Sequence, residues 1–421
     1  METITLPLYY THHGPIIRVD KERHRAYSVK VPNYDGVNYS TGLYLLMKAR
    51  NLDQFKGALA RQLMPRWNLL YSDAVNIWVH NGNVAPRAED VDWSKPVPGW
   101  TKETEWGPYI PFERYPQLLN PPSGFLQNCN NPPWVATWNS GLKPLEPAPY
   151  YLQVTPKADA GEEVLNTRGE RLFRMSGEDR KFTLEEMIEL GFDTYVLPAD
   201  VIVPLLVNAA AKREPLNDAS LAQMACLRAW DRHSSKASVA YTYLYYWAKA
   251  YKDLFSASKF SRFISYERAR IDIQSVGEQD MAWRALEEAI ARLEKRLGKS
   301  QVPWGEINVV VRSGVFPVDS TNTFGVLHPD EGPEQEDGRI FCNDGWAHLK
   351  LVIESEAKRI WSLLPYGESE QSSSAHDNDQ AKLHSARKLK RFWFTPSEIL
   401  GPMPSLFGVI RTASSCCSSK C

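Results

Sequence analysis

The side chains of this sequence that could do chemistry fall into a few small groups. His12 and His13 are adjacent, and His376 stands with Asp377 and Asp379. Consecutive strand residues point to opposite faces, so the first pair is not expected to chelate one ion and reads instead as a turn-stabilising pair. The second group could suggest a His-Asp relay, but no G-x-S-x-G elbow supplies a nucleophile. The polar run Gln371 to Ser374 beside it predicts a flexible loop that the group braces. Cys129 has no base placed near it by sequence. Of the six cysteines, Cys416, Cys417 and Cys421 crowd a Ser-rich tail, while Cys129, Cys226 and Cys342 are scattered. No CxxC pair or metal-type spacing exists, so neither a disulfide framework nor a structural zinc is expected. The acidic run from Asp330 and Glu331 to Asp337 reads as a solvated loop.

Composition narrows the partners. The 421 residues carry 49 Lys and Arg against 50 Asp and Glu, a net charge of -1 that offers no basic field to a phosphate backbone. Nucleic acid is not an expected partner. The longest apolar stretch, Val201 to Ala211, contains Pro204 and Asn208 and falls short of the roughly 20 residues a spanning helix needs, so no membrane span is expected. Glu2 follows Met1, and Ile4 to Tyr10 is short and proline-broken, which gives no signal peptide in this stretch. With 43% hydrophobic residues the chain has material for a large core. Its 14 Trp and 19 Tyr suit either that core or an acyl-binding cleft.

The elements that must position these groups can be read from periodicity. Ile4 to Val31 is β-branched and aromatic, broken at Gly14-Pro15, and predicts two strands around a turn. Leu45, Leu46, Ala49, Leu52, Phe55, Leu59 and Leu63 recur at helical intervals, predicting two short helices, the second started near Asp53. Asn68 to Asn83 returns to strand-turn-strand, and Val84 to Pro149, crowded with proline, tryptophan and tyrosine, predicts a wrapping segment. Thr183 with Glu186 three residues later predicts a capped helix. Leu221 to Ala250 and Gln279 to Leu297 keep helical spacing, whereas Ile307 to Arg312, Arg339 to Phe341 and Trp346 to Glu354 alternate as strands. These late strands are expected to neighbour the early ones, with the helices inserted between two halves of one sheet.

Four segments, in one order along nearly the whole chain, resemble the β-chain of the penicillin acylase family of N-terminal-nucleophile (Ntn) hydrolases. Thr11-His12-His13-Gly14-Pro15-Ile16-Ile17 is similar to its T-x-H-G-P turn. Pro65 to Asp73, running on to Asn76-Ile77, Gly82 and Pro86-Arg87, resembles its N-x-x-Y-A-D-x-x-G-N-I strand pair, with Ser72 in place of the usual Ala and no Gly before Asn76. Asn120-Pro121-Pro122-Ser123-Gly124 through Asn128 and Asn130 to Pro132-Pro133-Trp134 is similar to the N-P-x-x-G segment, the most specific of the four. Pro365-Tyr366-Gly367-Glu368-Ser369, His376, Asp379-Gln380 and Phe394-Thr395 resemble the family's ending. The branch of acyl-homoserine-lactone and lipopeptide acylases looks nearest, and Lys181-Phe182-Thr183 and Ala229-Trp230-Asp231 stand where its helical signatures are expected.

The resemblance implies an α+β fold, the αββα sandwich of antiparallel sheets with a helical insertion, N-terminally truncated here. Residues 1–160 would form part of the core with the oxyanion-hole strand pair, 161–300 the mainly helical insertion, 301–410 strands returning to the core and 411–421 a disordered Ser/Cys tail. It implies hydrolysis of linear C–N amide bonds in N-acyl lactones, lipopeptides or β-lactams. The nucleophile of this class is the first residue of a self-cleaved chain, whose own α-amine, with a pKa of roughly 8, is the base. The Ser-Asn opening is absent, so the expectation is an incomplete chain, without amidase activity alone, that aggregates or binds its missing N-terminal portion. By resemblance Asn68 is the oxyanion-hole residue; a buried Asn satisfying a strand end is the bland alternative. Arg87 would orient substrate at the mouth or stand as a surface charge, and Asn128 and Asn130 would line the same cleft or brace its loop. No cofactor or metal is expected of these residues, although calcium, through Asp73, belongs to some complete members. Export to the periplasm or medium is implied by the family alone. The other reading of these residues is a non-catalytic acyl-ligand binding protein derived from the same fold.

Overall fold

A computed structural model describes residues 7–31, 39–63, 68–81, 91, 95–143, 165–177, 180–213, 218–254, 276–319, 321–354 and 358–400. The chain divides into two compact units, Met1–Arg180 and Lys181–Cys421.

The first unit begins with an antiparallel sheet of β1 (Tyr10–Thr11), β2 (Gly14–Asp20) and β3 (Arg25–Ser28). Gly14, at φ 134°, cannot be replaced freely, because a Cβ there would lie 2.2 Å from the Val29 carbonyl oxygen. Helices α1 (Tyr39–Lys48) and α2 (Leu52–Ala60) follow as expected. The second starts at Asn51, whose side-chain oxygen accepts from the Gln54 amide at 2.9 Å; Asp53 sits in the first turn, where its charge suits the helix dipole.

Strands β4 (Asn68–Ser72), β5 (Ile77–Asn81) and β6 (Gln117–Leu119) form a second antiparallel sheet in that order. Period-two alternation turns Leu69 and Tyr71 towards α2, where Leu52, Leu59 and the buried Trp78 make the local core with Phe55 and Phe112. Helix α3 (Thr167–Ser176) closes the unit, capped by Asn166, which accepts from the Gly169 amide at 2.9 Å.

The second unit is helical first. The predicted capping box opens α4 (Leu184–Gly191): Thr183 donates its amide to Glu186 at 2.8 Å, and its hydroxyl accepts from the Glu186 amide at 3.2 Å. The apolar run around Val201 is α5 (Ala199–Ala211), with Ile202, Val203, Leu206, Ala209 and Ala210 buried and Pro204 on the exposed face. Its length and composition are those of a core helix, and no described helix is long and apolar enough to cross a membrane. Helices α6 (Asp218–Ala229), α7 (Val239–Leu254) and α8 (Val276–Leu297) complete the layer. Trp247 of α7 is buried and donates its indole N–H to the Ala282 carbonyl of α8 at 2.9 Å.

The strands that follow are β7 (Asn308–Val311), β8 (Val315–Pro317), β9 (Asp330–Glu331), β10 (Ile340–Phe341), β11 (Asp344–Gly345), β12 (Leu349–Ile353), β13 (Arg359–Leu363) and β14 (Lys390–Phe392). Among the described residues they pair with one another, as sheets β10-β7-β8, β11-β9 and β12-β13-β14, rather than with the early strands. Within this unit β7 with β8, and β12 with β13, are joined by short connections that favour hairpin partners. The β7–β10 pair is parallel, and the chain between them, running through β8 and β9, is long enough for the crossover such a pair requires. The other ladders of this unit are antiparallel. Helices α9 (Asp379–Ser385) and α10 (Pro396–Leu400) flank β14 in sequence. The Ser/Cys tail at 411–421 lies outside the described residues.

Candidate functional site

Asn68 opens β4 opposite Asn81, at the end of the ladder away from the turn. Alternation puts its side chain on the same face as Leu70 and Ser72, opposite to Leu69 and Tyr71, and it is exposed rather than buried. The bland alternative of a buried strand-end asparagine therefore does not describe it. In the same hairpin, His80 is 1% exposed, stacked between Trp78 and Phe112 at ring separations of 5.4 and 4.9 Å, and neither ring nitrogen has a hydrogen-bond partner. Burial pushes its pKa down to about 4.

The hairpin turn is tied by Asp73. Its Oδ1 accepts from the amides of Val75 and Asn76 at 2.8 and 2.7 Å, and its Oδ2 accepts from the Tyr71 hydroxyl at 2.8 Å. Those bonds, the Val75 amide first, hold the carboxyl at about 2. Asn76 also donates to both oxygens at 3.3 Å. A calcium ion takes roughly six to eight oxygen ligands. Asp73 has its acceptor positions filled by the chain's own donors, so these residues do not fit that ion.

Strand β6 leads into Asn120, at φ 47°, which locks the next segment onto the turn. It accepts from the Ile77 amide at 2.8 Å and donates to Asn76 Oδ1 at 3.0 Å. Further on, Asn128 Oδ1 accepts from the Asn130 amide at 2.9 Å, and Asn130, at φ 62°, accepts from Arg168 at 2.8 Å. The structure thus joins Asn128 and Asn130 in one turn, while Asn68 is linked to them through β5 and β6. Arg87 lies outside the described residues. Cys129, between the two asparagines, is pushed up to about 11 by burial, which leaves it a thiol at neutral pH.

The two histidines of the first turn are not strand residues. They occupy the turn between β1 and β2, so their rings lie on one side, 3.8 Å apart, and the opposite-face argument does not apply. His12 Nε2 meets Glu105 at 2.7 Å, His13 Nε2 donates to the Gly99 carbonyl at 2.8 Å, and Lys30 reaches the same glutamate at 3.3 Å. Both rings thus meet partners outside their turn, and with Glu105 they bring three ligand-type side chains together. In the second unit, His376 pairs with Asp379 at 3.0 Å, and Asp377 accepts from the Ser313 amide at 2.8 Å. The Gln371 to Ser374 run is a turn closed by the Ser374 amide on the Gln371 carbonyl at 2.9 Å.

One constellation has no counterpart in the sequence reading. His328, Asp330 and His384 are 3% or less exposed, so Asp330 is not part of a solvated run. His384 Nε2 lies 3.3 Å from His328 Nε2 and 3.3 Å from Asp330 Oδ2, and His328 Nε2 lies 3.7 Å from that oxygen. Burial pulls His328 well below its usual value and pushes Asp330 up. His328 and His384 stand 56 positions apart, with no motif to join them. The only local signal is that Asp330 follows His328 at a spacing of two, which on a strand shares a face.

The mixed architecture, helices with small antiparallel sheets, is that of the Ntn hydrolases. It matches the solved thermostable penicillin G acylase from Alcaligenes faecalis with a TM-score of 0.61 at 20% identity, over 93% of this chain and 76% of that one. The chain belongs to the penicillin amidase family, which it matches over residues 2–401. It is 35% identical to penicillin G acylase of Escherichia coli over 133 residues, 31% of this chain and 15% of the relative. It is 23% identical to acyl-homoserine lactone acylase PvdQ of Pseudomonas savastanoi pv. phaseolicola over 93% of this chain and 54% of the relative. The chain therefore spans about half the length of the curated acyl-homoserine lactone acylases it matches.

Proposed function

We propose that this chain supplies the oxyanion-stabilising wall of an acylase that hydrolyses linear C–N amide bonds of N-acyl small molecules. The observation that carries the reading is Asn68, exposed at the head of a strand whose register aims it away from the core, in a chain of the penicillin amidase family. Its side-chain N–H would donate to the oxygen of the tetrahedral intermediate, a contact worth a rate factor of about a hundred to a thousand. Asn128 and Asn130 would line the cleft mouth, and a substrate-orienting role for Arg87 rests on the family resemblance alone. The nucleophile, in this reading, is the free N-terminal serine of a partner segment from the same enzyme. Exposed Leu8, Tyr9, Tyr10, Ile17 and Val19 in the first unit give such a segment an apolar surface to cover.

The test is hydrolysis of an N-acyl amide by the purified chain alone, and by the chain assembled with the nucleophile-bearing segment of a penicillin amidase relative. The chain alone is expected to be silent and the assembly active. Asn68→Ala should then lower kcat about a hundredfold or more with KM little changed. Turnover by the chain alone, or an Asn68→Ala assembly as active as wild type, would refute the reading. Acyl-amide binding without turnover in the assembly would favour the binding-protein alternative.

A further inference from the structure

The geometry points to a zinc site formed by His328, Asp330 and His384, in which the ion clamps the 328–330 segment to helix α9. Three donor atoms converge. The separations of 3.3, 3.3 and 3.7 Å define a triangle whose circumradius is about 2.0 Å. A point slightly off its plane therefore lies at zinc-ligand distance from all three atoms.

The surroundings prepare each ligand. His328 Nδ1 lies 3.0 Å from the Gly191 carbonyl, which can only accept, so that nitrogen carries the proton and Nε2 presents its lone pair to the cluster. The Tyr366 hydroxyl, which also reaches the Asp344 carbonyl, lies 3.1 Å from Asp330 Oδ1, and Oδ2 faces the histidines. That oxygen is buried and has no hydrogen-bond partner of normal geometry. Two acceptors thus converge on His384 Nε2, which carries at most one proton. Asp330 Oδ2, 3.3 Å away, holds that proton on Nε2, and His384 Nδ1 is left buried without a partner. A divalent ion satisfies all three donor atoms and compensates the buried carboxylate. The imidazole pair favours zinc over calcium or magnesium.

Trp346 covers the cluster, its ring 4.1 Å from that of His328 and 5.1 Å from that of His384. His384 ends the buried face of α9 that Gln380 begins one turn earlier, so the ion would join segments 56 residues apart. Binding energy at such a site is folding energy.

The test is metal analysis of the full chain, stripped with chelator, reloaded with zinc and dialysed. About one zinc per chain is expected, with a melting temperature above that of the stripped protein. Cobalt loading should give the intense visible bands of a tetrahedral site, a readout that needs no variant. His384→Gln and Asp330→Asn, shown folded by circular dichroism, should lose the metal, whereas His12→Ala/His13→Ala should retain it. No retained zinc and no cobalt bands in the wild-type chain would overturn the proposal. So would metal that survives His384→Gln and Asp330→Asn, or that departs with the His12 and His13 substitutions.

Discussion

Replacing His80 by phenylalanine tests the claim that this histidine must stay neutral in the fold. Its ring is 1% exposed between Trp78 and Phe112, and burial sets its pKa near 4 against 6.5 for the free side chain. The sign follows from linkage: above about pH 6.5 neither state binds the proton and stability is unaffected. As pH falls below that value the unfolded chain is protonated first, and stability is lost until the folded pKa is passed. The interval from 6.5 to about 4 corresponds to about 3 kcal/mol in all, of which about 2 kcal/mol is lost by pH 5. Phenylalanine keeps the aromatic stack and removes two unpartnered buried nitrogens, whose desolvation costs about 1–3 kcal/mol. Urea denaturation of the full chain and the variant at pH 7.5, 6.5, 5.5 and 5 reads the difference, and titrating carboxylates, common to both, cancel. The wild type should lose about 2 kcal/mol more than His80→Phe over that range. Overpacking by the larger ring would shift the variant equally at every pH, so it cannot mimic the result. Parallel stability curves would refute the reasoning.

Two further perturbations probe local rules. Gly14→Ala places a methyl 2.2 Å from the Val29 carbonyl oxygen at φ 134°, and should cost on the order of 1–3 kcal/mol, measured as a fall in melting temperature; an unchanged melt would mean that the backbone at β2 and Val29 moves apart freely. Thr183→Ala removes one half of the capping box and should cost about 1 kcal/mol in urea denaturation at pH 7, with faster exchange of the Glu186 amide; equal exchange in both proteins would show that the box is not formed.

Local patterns are legible in the sequence itself. The hairpin around Asp73 follows from β-branched and aromatic runs flanking a turn, and the box at Thr183 from two residues whose side chains satisfy each other's amides. The Val201–Ala211 run is legible as too short to span a membrane, and burial of one of its faces explains its composition. Strands β13 and β14 escape because Arg359–Leu363 and Lys390–Phe392 are short and bracketed by polar segments. The two turn histidines are misplaced by one local assumption, which extends a strand through residues that fold as its turn.

By itself the sequence determined the chain's kinship and its local elements, because periodicity, caps and contiguous motifs are encoded within a few residues of one another. Only the tertiary structure decided which faces are buried. It set Asn68 outward and His80 inward from one hairpin, paired the late strands with each other, and drew His328, Asp330 and His384 into one buried cluster. Burial and long-range contact depend on how the elements pack, and no window of sequence contains that information.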